Sequence, residues 1–197
     1  MVRSVRRLIV AAALLCAGGQ VFAQPVFEPP YGLHWGDSPE KLLSWATRQT
    51  LDVTISMPAD RPSLRILRIQ PRKGFLSETQ AGAVEGRFLS GKLYEVTVHY
   101  FDPDASADLM EARFEALKKQ VTAEHGPLLT NQLSRTVEDQ FVTRIQSFHR
   151  EPVKGVFLLL AFTEVEDLLR KSRDSKFSLI YRNDLLMNEW MRELSAP

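Results

Sequence analysis

Apolar positions along the chain follow two periods, one recurring every three to four residues and one alternating, and the switches between them mark out the elements. Leu42, Trp45 and Ala46 recur at helical spacing behind Pro39, whose missing N–H costs nothing in a first turn. The pattern predicts a helix over 39–48 with Asp37 or Ser38 as its cap. Residues 64–70, bounded by Pro62 and Pro71, read as a strand, as do 84–89 and 93–101. A tight turn at Ser90-Gly91 joins the last two. Asp102-Pro103-Asp104 opens the longest helix, predicted to run to about Glu124. Its Met110, Phe114, Leu117 and Val121 form one stripe, and Gly126-Pro127 stops it.

The second half starts with a polar stretch over 130–140, followed by strands at 141–150 and 156–162. Val156-Phe157-Leu158-Leu159-Leu160 does not alternate, which predicts a central strand covered on both faces. Thr163 and Glu166 make a capping box, and acids precede Arg170, Lys171 and Arg173, so a short helix is expected there. Phe177, Leu179 and Tyr181 alternate as a final strand. Asp184 caps a last helix striped by Leu186, Met187, Trp190, Met191 and Leu194. Together these elements predict an α+β fold: an antiparallel sheet of about six strands, helices packed mainly on one face, and two similarly built halves.

The N-terminus changes where such a fold would work. Residues 1–7 carry three arginines and no acid, an apolar run follows over 8–17, and Val21-Phe22-Ala23 supplies small residues where a signal peptidase reads. That run is too short to span a bilayer, so residues 1–23 are expected to be a cleaved signal peptide that leaves no transmembrane anchor. The expected location is the periplasm or the extracellular space. The single cysteine, Cys16, lies inside the leader behind Leu14-Leu15, which argues against lipidation. Cleavage after Ala23 leaves a proline-rich lead-in over 24–30 and one domain over 31–197. The processed chain has 22 basic and 24 acidic residues, too balanced to imply a nucleic-acid partner. It also lacks thiols, which rules out disulfides and cysteine-based metal sites.

The segment Gly32-Leu33-His34-Trp35-Gly36-Asp37-Ser38-Pro39-Glu40, an aromatic-glycine pair before a capped helix, resembles the opening of many small exported bacterial α+β proteins with a Gly-x-x-Trp-Gly-x-Ser-x-Glu start. Gly91-Lys92-Leu93-Tyr94 and the helix end at His125-Gly126-Pro127 resemble later parts of the same loosely defined, mostly uncharacterised group. The resemblance implies a fold class and a location and carries over no catalytic residue.

Few motifs carry chemistry. Asp102 to Asp108 alternates oxygens as a calcium loop does, but the loop's sixth and twelfth positions hold Ala107 and Arg113 instead of glycine and a bidentate glutamate. No metal and no cofactor are therefore expected. His99 lies on the more polar face of its strand. With Asp102 and His149 at one sheet end it would supply the best candidate acid-base constellation. Arg61, Arg65, Arg68, Arg72 and Lys73 form the one basic concentration. Arg65 and Arg68 have opposite strand parity, so they suit an edge strand that resists aggregation better than a single anion-binding stripe. The leading expectation is a non-enzymatic exported module that binds an envelope protein or an anionic envelope polymer. The alternatives are a hydrolase of envelope polymers using His99 and Asp102, and a small-ligand carrier.

Overall fold

Pro39, with its preset φ, starts the first helix, α1 (Pro39–Arg48). Ser38 is the capping residue by backbone position but makes no side-chain cap bond, while Asp37 accepts from the backbone of His34 and pairs with Lys41. A meander follows: β1 (Asp52–Ser56), β2 (Leu64–Gln70), β3 (Ala83–Leu89) and β4 (Lys92–Tyr100). Ser90 and Gly91 both take positive φ, 50° and 77°, the conformation that lets a two-residue hairpin follow the strand twist. The long helix α2 (Ala107–His125) leads into a second meander, β5 (Leu129–Glu138), β6 (Phe141–Val153), β7 (Val156–Asp167) and β8 (Ser172–Asn183), and α3 (Asp184–Ser195) ends the chain. The computed structural model describes residues 27–77 and 79–195, so the leader and the cleavage point after Ala23 lie outside the described residues.

The strands form one antiparallel sheet in the order β1-β2-β3-β4-β8-β7-β6-β5. Eight strands replace the six expected. The two additional ones, β1 and β5, are the sheet's edges, and almost every residue in them is exposed on both faces. Asp52-Val53-Thr54-Ile55-Ser56 does alternate, but over only five residues, and the apolar residues of β5, Leu129, Leu133 and Val137, are too sparse to mark a strand face. The helix expected from the capping box at Thr163 is absent. β7 continues through Asp167, and Glu164 accepts instead from Arg173 on β8 at 2.8 Å, so the acid-base order that suits a helix dipole serves a cross-strand pair. Asp167 accepts from the backbone of Leu169 and Arg170 at 3.0 Å each and shapes the turn that follows.

Two further caps differ from expectation. Ser106, not an aspartate, caps α2, accepting from the Leu109 amide at 3.2 Å. Asn183 Oδ1 accepts from Leu186 at the start of α3, while Asp184 pairs with Arg182. β2 lies inside the sheet, so its arginines do not guard an edge.

Each half is a helix followed by a four-stranded meander, and the halves join where β4 pairs with β8. Val53, Ile69, Val84, Val98, Leu179, Leu160, Phe148 and Thr130 are neighbours in register and form one row across all eight strands. Both α1 and α2 cover this face. Leu42, Trp45 and Ala46 of α1 pack on Leu67, Ile69 and Val84, while Met110, Phe114 and Val121 of α2 pack on Phe148, Leu160, Phe162 and Leu179. Arg144 pairs with Glu111 and Arg173 with Asp108, tying α2 to the strands beneath it. Only α3 reaches the opposite face, at one corner, where Trp190 packs on Leu64, Leu89 and Tyr94. Tyr94 sits at the bulge where the β3–β4 register shifts, which takes it out of the expected row with Val96 and Val98. No helix among the described residues is long and apolar enough to cross a membrane.

Candidate functional site

The face opposite α1 and α2 is the open face of the sheet, and its two halves differ in chemistry. On β2 to β4 it carries Arg68, Glu85, Arg87, Glu95, Thr97 and His99. On β6 to β8 the register continues with Ile180, Leu159, Phe157, Ala161, Ser147 and His149. Apolar side chains thus line up beside a ladder of charges on one continuous surface.

The charged half is internally paired. Arg87 Nε lies 2.9 Å from Glu85 and 3.3 Å from Glu95, and Arg68 reaches Glu85 at 4.0 Å. His99 Nδ1 shares a 3.0 Å hydrogen bond with Ser178 Oγ, and its Nε2 lies 3.9 Å from Glu85. The two carboxyls respond in opposite directions. The His99 ring holds Glu85 down to about 2; burial opposes this and Arg87 adds to it. Glu95 is pushed up, because its burial outweighs Arg87 and Arg182.

A carboxyl held below its ordinary 4.5 stabilises the fold fully above that value and loses the contribution as pH falls toward 2. Glu85→Gln is therefore expected to cost on the order of 1 to 2 kcal/mol at pH 7, a figure discounted for solvent reaching the partly exposed pairs. The deficit should shrink at pH 3, as denaturant titrations at the two pH values would show. An equal deficit at both would mean that Glu85 is not held by charge.

Two clefts lie end to end along β7 and β8. The larger, about 690 Å³, is lined by Arg68, His99, Asp102, Thr163, Lys176 and Ser178. The smaller, about 350 Å³, is lined by Asn131, His149, Phe157, Leu159, Ile180 and Arg182. From Arg182 to Lys176 is six residues of strand, so the pair makes a trough about 20 Å long.

The structure separates the three residues expected to converge. His99 and Asp102 line the same cleft, but Asp102 is committed elsewhere, pairing with Arg113 at 2.9 Å and accepting from the Asp104 amide at 3.1 Å. Arg113, which denies the loop a calcium ligand, closes that loop itself. His149 shares the open face but sits three strands from His99 and two residues out of register with it, about 16 Å away. Its Nδ1 is buried without a hydrogen-bond partner among the described residues. Among those residues no group of three or more His, Cys, Asp and Glu side chains is placed to hold a metal ion.

The basic concentration is likewise divided. Arg68 is on the open face, and Arg65, opposite Phe88, is on the helix face, as parity requires. Arg72 pairs with Asp52 of β1 at 3.1 Å, and Arg72 and Lys73 border a separate cleft beside Leu51 and Phe75.

The apolar half of the open face escaped the sequence reading because the run over 156–160 read as a strand buried on both sides. In the structure Leu158 and Leu160 are buried under α2, while Phe157 and Leu159 are half-buried on the opposite face, which only α3 reaches, at one corner. Surplus apolar residues in a strand backed by only one stripe of helix were the available signal. Comparison of the chain with protein-family models, with curated proteins and with solved structures finds no match.

Proposed function

We propose that this chain is an exported binding module that docks a protein component of the cell envelope on the open face of its sheet. The observation that carries this reading is the strip of Phe157, Leu159 and Ile180, half-buried within the fold and lining the smaller of the two clefts. A contiguous apolar strip with a polar border is the composition of a protein interface: apolar anchors supply affinity, and the border sets orientation. In the neighbouring ladder Arg87 is already paired with Glu85 and Glu95 within the chain, so it can orient a partner without leaving a charge buried and alone. The basic, then apolar, N-terminus supports export.

The reading is tested by placing a photoreactive residue at Ala161, in the middle of the trough, or at Lys119, exposed on α2. Irradiating intact cells should give one discrete crosslinked species from position 161 and none from position 119. Equal patterns from both positions would overturn it.

A further inference from the structure

On the opposite, helix-covered face, a second cleft of about 390 Å³ lies over the central strands where the two halves meet. Its floor is Tyr100, Phe177, Leu179 and Tyr181, and the α2 wall contributes Leu117, Gln120 and Glu124. Tyr100 and Tyr181 sit two residues beyond Val98 and Leu179, which pair directly across the β4–β8 junction. The two phenols therefore flank the line where the halves join. Among the described residues neither hydroxyl has a hydrogen-bond partner, although both line the cleft. Burial pushes both phenols up, Tyr181 to about 12 and Tyr100 further, so each offers an O–H donor at any physiological pH.

The chain itself shows what kind of body fits here. Phe27, in the segment leading to α1, lays its ring on Tyr181 with centroids 5.9 Å apart and planes 19° apart, and its edge meets the His125 ring at 5.0 Å. Trp35 Nε1 donates to the Phe27 carbonyl at 2.6 Å and holds that segment in place. A flat ring is thus accepted beside the cleft, while the cleft's own volume, within the range of small-molecule sites, is open. The charge balance disfavours an anion. Glu124 lines the wall, and Arg113 is already paired with Asp102.

We propose that this cleft binds a small, neutral, planar ring compound bearing a hydroxyl or carbonyl oxygen. The ring lies against Leu117 and Leu179, and the oxygen accepts from the Tyr100 or Tyr181 hydroxyl. The site is independent of the docking face on the other side of the sheet.

The test titrates the purified processed protein with 2-naphthol, followed by its fluorescence, and with naphthalene as the probe that lacks the oxygen. Saturable, one-to-one binding of 2-naphthol is expected. It should weaken about tenfold or more in Tyr100→Phe or Tyr181→Phe, which keep the rings, with naphthalene binding unchanged in both variants. Gln120→Trp, at the exposed rim, should block both probes. Absence of saturable binding, insensitivity to both Tyr→Phe changes, equal losses for the two probes, or full binding in Gln120→Trp would each overturn the proposal.

Discussion

Replacing Phe114 by alanine is expected to destabilise the fold by about 3 to 5 kcal/mol and to lower its melting temperature by on the order of 10 °C. Phe114 is 1% exposed and is the hub of an aromatic cluster, with ring centroids 5.1 Å from Phe162, 5.8 Å from Phe177 and 6.3 Å from Phe148. Those three partners come from β6, β7 and β8. Truncation therefore removes apolar burial and leaves a void that three strands would have to shift to fill. Lys119→Ala, exposed on the same helix, should change stability by roughly 0.5 kcal/mol or less. Arg113→Ala lies between the two at roughly 1 kcal/mol, because it strands the mostly buried Asp102 carboxylate. Urea titration of the three variants checks the order. A Phe114→Ala protein as stable as its parent would remove the physical basis for α2 as the lid of the second core.

Leu159→Arg is expected to weaken partner docking about 100-fold or more, equivalent to about 2.7 kcal/mol, while leaving the isolated fold nearly intact. Leu159 lies mid-strand between Ile180 and His149 in register and faces the uncovered side. In the free protein an arginine there can lay its methylenes on the sheet and keep its guanidinium in water. A docked partner removes that water and leaves a charge buried without a counter-ion, so the cost falls on the complex. The measurements are the yield of the Ala161 crosslink and the melting temperature of the purified variant. An unchanged yield would mean that the open face is not where the partner sits. A collapse in melting temperature would mean that Leu159 belongs to the core.

Much of the scaffold is local and was therefore legible. The stripe of Met110, Phe114, Leu117 and Val121 needs only its own spacing to reveal one buried side. Ser90-Gly91 needs only glycine's tolerance of positive φ to mark the hairpin. The parity that separates Arg65 from Arg68 is also a property of one strand. What stayed hidden depends on distant residues. β1 and β5 are strands because β2 and β6 offer them free N–H and C=O groups; the five-residue alternation of β1 and the sparse apolar residues of β5 are too weak to specify a strand alone. Thr163-x-x-Glu166 is a capping box only if the chain turns helical there. The pairing of Glu164 with Arg144 and Arg173 makes the extended form the better bargain.

The candidate site divides along the same line. Sequence by itself determined that His99 points away from Val98 and that residues 156–160 carry more apolar surface than one face needs, because side-chain alternation is fixed by the pleat of a single strand. The tertiary structure decided that His99 meets Ser178 and Glu85 rather than Asp102 or His149, and that Tyr100 and Tyr181 share a cleft. It also decided that α1 and α2 cover the same face, leaving Phe157, Leu159 and Ile180 uncovered. Strand order and helix placement set those distances, and both are chosen by the packing energy of the whole sheet rather than by any one segment.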